Sequence, residues 1–179
     1  VYHHLIPRPK LRFLLADDPG AGKTIMAGLF LKELKIRGLV ERTLIVTPAN
    51  LTDQWRRELK SRFGEVFQVV RSASMDDLYG RNIWMDATQC ITSMDFAKPP
   101  RQPNRHYAFE SLREARWDLV IVDEAHKMSA YQYGDEIKRS ERYRLGELLS
   151  GQADHFLFLT ATPHKGDPDN FRLLMQLLD

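Results

Sequence analysis

Two short stretches carry residue types and spacings that could do chemistry: Gly20-Ala21-Gly22-Lys23-Thr24 and, far downstream, Asp123-Glu124. A loop that ends in Gly-Lys-Thr and opens a helix is a phosphate cradle. Glycine lets backbone N–H groups close on phosphate oxygens, and the helix N-terminus adds the positive end of its dipole. In that setting Lys23 reaches the β/γ-phosphates and the Thr24 hydroxyl takes Mg²⁺. The pattern has a defect, because the first glycine of the P-loop signature falls on position 17, where Asp stands. Read alone, such a turn can also be purely structural. The adjacent carboxylates offer the complementary chemistry: Asp123 to hold Mg²⁺ through water, Glu124 to orient or deprotonate an attacking water. Singly, they are equally a solvated strand terminus.

The elements that must position these residues are legible in the apolar pattern. Leu11–Ala16 is a short run of branched and aromatic residues, fit for a buried strand, and from Thr24 the period changes so that Ala27, Phe30, Leu31 and Leu34 share a helix face. Gly38 is a C-terminal stop for that helix. Thr43–Pro48, Phe67–Val70, Gln89–Ser93, Asp118–Val122 and His155–Leu159 read as further strands. Four consecutive aliphatics before Asp123 belong to a strand covered on both faces, as in a parallel sheet. Leu51, Trp55, Leu59 and Phe63 mark a helix whose other face carries Arg56, Arg57 and Lys60, read as solvated. Phe109, Leu112 and Arg116 suggest a helix leading to Trp117. Tyr143, Leu145, Leu148 and Leu149 suggest another that stops near Gly151, with the basic patch Lys138–Arg144 as a solvated helix face. Asp167 as N-cap and Pro168 at N1 open a last helix, with Phe171, Leu174, Met175 and Leu178 inward. Ser72–Asn82 is polar and crosses the surface, while the proline-rich Lys98–Arg105 is an insertion or loop.

Strand and helix alternate, so the fold class is α/β with a mostly parallel sheet and helices on both faces. Such a sheet collects the C-terminal ends of its strands on one edge, where ligands bind. Lys23-Thr24, Asp123-Glu124 and Thr160–Thr162 would then converge, and their conjunction points to a nucleoside triphosphate with Mg²⁺.

A family resemblance rests on the same residues. Leu15–Thr24 (Leu-Ala-Asp-Asp-Pro-Gly-Ala-Gly-Lys-Thr), Val122–His126 (Val-Asp-Glu-Ala-His) and Leu159–Pro163 (Leu-Thr-Ala-Thr-Pro) resemble motifs I, II and III of superfamily 2 helicases. More narrowly, the chain is similar to bacterial or archaeal Snf2-type ATPases, whose variant loop accommodates Asp17. Thr47-Pro48 with Gln54-Trp55 and Glu58 resembles that family's motif Ia region, and Thr162–Asp167 its extended motif III. Asp18, Pro19 and Ala21 depart from the commoner family residues. The resemblance implies a single RecA-like P-loop lobe over residues 1–179, binding ATP and Mg²⁺. By it, Gly20, Ala21, Gly22, Lys23 and Thr24 cradle phosphate, Thr24 and Asp123 serve the metal, and Glu124 is the general base. His126, Thr160 and Thr162 would sense the γ-phosphate, while Pro48, Ala49 and Ser93 would approach a nucleic-acid backbone. It implies a motor tracking on nucleic acid, double-stranded DNA in particular, whose second RecA-like lobe, with its arginines, is not in this chain. An arginine finger is worth roughly 10³–10⁵ in rate, so this lobe alone should turn over slowly. Two other readings stand beside it: a nucleotide-dependent switch without nucleic acid, and a lobe tracking on RNA.

Bulk properties bound these readings without choosing among them. The 179 residues suffice for one sizeable core, and the net charge of +2 argues neither for nor against nucleic acid. No run is long enough to span a membrane, and no signal-peptide pattern opens the sequence. A start at Val1 suggests a segment of a longer polypeptide. The single cysteine, Cys90, sits in an apolar run and reads as a buried thiol suited to a reducing cytoplasm. His3 and His4 lack neighbouring ligands and read as surface or packing residues.

Overall fold

The computed structural model describes residues 10–16, 22–74, 81–100, 107–133, 136–162 and 168–179. Asp17 to Ala21, His3, His4 and Asp167 lie outside the described residues, as do most of the proline-rich loop and the middle of the 72–82 crossing.

Six strands form one parallel sheet: β1 (Arg12–Ala16), β2 (Thr43–Thr47), β3 (Gln68–Val70), β4 (Gln89–Ser93), β5 (Trp117–Asp123) and β8 (Ala153–Thr160). Their order across the sheet is β1-β8-β5-β2-β4-β3, so the strands that precede the two chemical stretches are separated only by β8. All six coincide with sequence-predicted strands, but β1, expected to be buried, is an edge strand with none of its residues fully buried. The reason for the match is visible in β5, where Leu119 and Ile121 enter one core while Val120 and Val122 enter the other. A strand buried on both faces needs an unbroken aliphatic run.

Helices α1 (Lys23–Ile36) and α2 (Thr52–Phe63) cover one face, contributing Ala27, Leu31, Leu34, Trp55 and Leu59 to its core. The opposite face is covered by α3 (Ile83–Asp86), α4 (Met94–Ala97), α5 (Tyr107–Leu112), α6 (Glu141–Gln152) and α7 (Pro168–Met175). Cys90 is fully buried there, and burial pushes its thiol up to about 12, which makes it inert at neutral pH.

Polar bonds fix the register between the central strands. The Asp118 carboxylate accepts the backbone N–H groups of Glu41 (2.8 Å) and Arg42 (2.7 Å), locking the entry of β2 beside β5. The Arg42 guanidinium donates to the carbonyls of Trp84, Met85 and Arg116 and lies 4.9 Å over the Trp117 ring. On the α1 side, Glu65 is buried and pairs with Lys32 (2.6 Å) and Lys35 (2.5 Å), tying the first helix to the turn after α2.

Two sequence expectations are corrected. Lys138 and Arg139 belong not to a helix but to β7 (Glu136–Arg139), antiparallel to β6 (Ala130–Tyr133) in a small separate hairpin. Ser140 ends that strand and caps α6: its hydroxyl accepts the Tyr143 N–H and donates to the Ser129 carbonyl. Arg116 lies beyond α5, which stops at Leu112, and instead reaches the Gly151 carbonyl at 2.8 Å. Helix α6 stops beside Gly151, as expected, running to Gln152 and passing directly into β8.

Candidate functional site

Helix α1 starts where the backbone at Gly22 takes φ +78°, ψ 32°, a left-handed conformation that suits glycine. The Gly22 carbonyl accepts the N–H groups of Ile25 (2.8 Å) and Met26 (3.0 Å), so the first turn closes around it. Lys23 and Thr24 follow, both half-buried. Two strands away, β5 ends at Asp123, a carboxylate only 5% exposed. Its Oδ1 accepts the Glu124 N–H at 2.9 Å and its Oδ2 accepts the Trp55 indole N–H at 3.0 Å. Burial raises the Asp123 pKa and the Glu124 charge adds to this, opposed by the Trp55 and Glu124 hydrogen bonds and by the Lys23 ammonium.

Glu124 takes φ +52°, the only non-glycine positive φ among the described residues. Such a conformation strains a side-chain-bearing residue and here allows β5 to turn straight into a single 3₁₀ turn, Ala125–Lys127. That turn sets His126 Nδ1 3.2 Å from Glu124 Oε2 and 2.9 Å from Thr160 Oγ1 at the end of β8. Thr160 Oγ1 also accepts the Thr162 N–H at 3.1 Å. A continuous polar chain therefore runs Glu124, His126, Thr160, Thr162. A carboxylate only accepts, so the Glu124 contact requires a proton on Nδ1, and the Thr160 hydroxyl oxygen then accepts from that nitrogen.

A cleft of about 400 Å³ opens between the start of α1, helix α2 and the end of β5. Gly22, Lys23, Thr24, Asp123 and Glu124 line it, together with Gln54, Trp55, Glu58 and Arg62 of α2. Of the sequence-predicted residues, the structure brings Gly22, Lys23, Thr24, Asp123 and Glu124 into this one space. His126, Thr160 and Thr162 adjoin it through Glu124. Gly20 and Ala21 lie outside the described residues. Pro48, Ala49 and Ser93 do not line the cleft. Pro48 and Ala49 follow Thr47, which is in register with Ser93, so all three sit on the same rim further along the sheet. Ser93 Oγ accepts the Phe96 N–H and caps α4.

The donor set fits a hard cation. The Thr24 hydroxyl and the Asp123 and Glu124 carboxylates offer oxygen in the cleft, and Asp123 is a buried carboxylate with no salt-bridge partner within 4 Å among the described residues. No group of three or more His, Cys, Asp or Glu that could hold a metal by itself occurs among the described residues. Mg²⁺ commonly takes one or two protein ligands and completes its shell with phosphate and water. Sequence reasoning missed the Trp55 contact. The available signal was that a buried indole N–H needs an acceptor.

The architecture is that of the first RecA-like lobe of a helicase-type ATPase. The SNF2-related domain family matches residues 8–179, and the chain belongs to it. It is 34% identical over 181 residues to the RNA polymerase-associated protein RapA of Vibrio cholerae, covering 100% of this chain and 18% of that protein. The RapA of Yersinia pestis is 35% identical over 170 residues, covering 94% of this chain and 17% of that one. The chain thus spans under a fifth of these relatives' length. Among solved structures, the Sulfolobus solfataricus SWI2/SNF2 ATPase core in complex with dsDNA superposes with a TM-score of 0.69 at 20% identity, over 94% of this chain and 31% of that one. The Pyrococcus furiosus Hef helicase domain gives 0.65 at 16% identity, over 95% and 33%.

Proposed function

We propose that this lobe binds Mg-ATP in the cleft between α1, α2 and β5 and hydrolyses it to drive a motor along double-stranded DNA. The observation that carries the reading is the convergence of Lys23 and Thr24 with Asp123 and Glu124, from stretches far apart in the sequence, in one cleft. Family membership supports ATP as the nucleotide, and the DNA-bound SWI2/SNF2 core supports duplex DNA as the track.

In this reading the N-terminus of α1 and the Lys23 ammonium hold the β- and γ-phosphates, placing positive charge where negative charge accumulates during transfer. Bound Mg²⁺ would neutralise phosphate charge, with the Thr24 hydroxyl and, through water, the Asp123 carboxylate as its protein ligands. Glu124 accepts the proton of the attacking water. His126 hands the state of the Glu124 carboxylate to Thr160 and hence to the backbone of Thr162. Pro48, Ala49 and Ser93, on the rim of β2 and β4, face the nucleic-acid backbone. Such contacts are salt-sensitive and weakly sequence-dependent. A second RecA-like lobe supplies the arginines that complete the site, and a cytoplasmic location suits the buried thiol.

The test is an ATPase assay on the protein joined to its second lobe, with and without duplex DNA. The reading expects slow turnover by this lobe alone and DNA-stimulated turnover when the lobes are joined. Equal turnover in both forms would overturn it. Absence of stimulation by any polynucleotide favours a nucleotide switch, and stimulation by RNA alone moves the track to RNA.

A further inference from the structure

We infer that Trp55 is a positioning residue for Asp123, holding the carboxylate in the orientation that the metal requires. The inference rests on the nucleotide reading of the cleft and deepens it. Trp55 is 2% exposed, and its indole nitrogen is 3.0 Å from Asp123 Oδ2. The indole N–H is donor-only and the ionised carboxylate acceptor-only, so the bond has one possible direction and is strengthened by the charge.

Two bonds from different elements fix Asp123. One comes from the Glu124 N–H that follows it, the other from α2. A carboxylate has about four lone-pair sites, so these two bonds leave acceptor capacity for water and metal while removing the freedom to rotate. The other two tryptophans show that this contact is not a general solution for buried indoles. Trp84 donates to the Ala108 carbonyl and Ser111 Oγ, far from the cleft, and Trp117 Nε1 is buried with no hydrogen-bond partner among the described residues.

The helix that carries Trp55 is itself held rigidly. Leu59, one turn on, is fully buried, and Phe63 packs so closely on α1 that only glycine fits at position 28. The indole is thereby fixed relative to α1, the helix that bears Lys23 and Thr24. A single 3₁₀ turn, Ala49–Leu51, leads from Pro48 into α2, so Trp55 links the helix that follows the rim of β2 to the acidic end of β5.

The experiment uses the protein joined to its second lobe and two replacements. Trp55→Phe keeps an aromatic ring without the N–H; 3-benzothienylalanine at position 55 keeps the bicyclic shape with sulfur in place of N–H. Affinity for Mn²⁺, a paramagnetic probe of the metal site, is measured by electron paramagnetic resonance with saturating ADP. Affinity for ADP is measured separately in EDTA, and folding by circular dichroism. Partners that orient metal ligands are worth 10–100-fold in metal affinity. Both replacements should therefore weaken Mn²⁺ about tenfold or more, leaving metal-free ADP affinity within twofold of the parent. If Trp55→Phe misfolds, the isostere decides. Unchanged Mn²⁺ affinity in the folded isostere would overturn the inference, as would an equal loss of metal-free ADP affinity, which marks a packing role. Failure of the unaltered protein to bind metal with ADP would sink the nucleotide reading itself, and the inference with it.

Discussion

Gly22→Ala tests whether the left-handed start of α1 is a functional constraint. A Cβ at Gly22 would meet nothing nearer than Ile25 Cδ1 at 3.6 Å, ordinary contact, so space is not the obstacle. The whole cost lies in the backbone at φ +78°, and a left-handed conformation costs an L-residue about 1–2 kcal/mol. The protein can meet that cost in two ways. If the turn keeps its shape, stability falls by that amount, about 2–8 °C in melting temperature for a domain this size, with nucleotide affinity unchanged. If the turn relaxes, stability is spared and the Gly22 carbonyl no longer closes the first turn on Ile25 and Met26. Affinity for ADP then falls about 5–30-fold. Thermal melting with and without ADP, together with calorimetric titration, separates the two. Asparagine tolerates the left-handed region better than alanine, so Gly22→Asn should recover part of whichever loss is seen. A Gly22→Ala protein with both parental melting temperature and parental affinity would refute the reasoning.

Lys23→Ala should abolish measurable nucleotide binding. Glu124→Gln should keep binding while turnover falls about 10²–10⁴-fold, the usual worth of a positioned base; normal turnover in the complete enzyme would remove Glu124 from that role. Glu65 opposes its own burial with hydrogen bonds from Lys32 and Lys35, and its pKa is lowered on balance. Its contribution to stability is then fully present above the unfolded carboxyl value, about 4.3, and is lost as pH falls through the lower folded value. Denaturant titrations across pH 2 to 7, roughly the range of carboxyl titration, should show that component vanish in Glu65→Gln. A Cβ at Gly28 would stand 2.2 Å from the Phe63 ring, so Gly28→Ala should cost about 1–3 kcal/mol by overpacking, and Phe63→Leu should restore part of it. No recovery in the double variant would mean that the two helices do not meet through this pair.

The centre of the sheet was legible because β2, β5 and β8 each hold an apolar run whose residues alternate between two cores. The flanking α1 and α2 were legible because their inward residues recur at helical spacing. What escaped was the structure whose driving force is not a long apolar stripe. The β6–β7 hairpin is short, and apart from the buried Ala130 its described side chains, Tyr131, Ile137, Lys138 and Arg139, are exposed, so it leaves no buried alternation to read. Helix α3 is a single turn, set by the Asn82 side chain accepting the Trp84 N–H rather than by periodicity. Within the site, the acidic pair and the Lys-Thr pair announce themselves by type and by their place after strands of the sheet. Trp55 did not, since an inward tryptophan on a helix at four-residue spacing looks like packing. Its partner is 68 positions away in sequence and is known only once α2 is laid across β5.

The measurement that bears most directly on the account is a crystal structure of the protein with Mg²⁺ and a non-hydrolysable ATP analogue. The account predicts the γ-phosphate against Lys23, the metal on the Thr24 hydroxyl with a water bridging to Asp123, and Glu124 beside the water in line with the phosphorus. An analogue bound elsewhere, with the start of α1 empty or the two carboxylates turned out of the cleft, would contradict it.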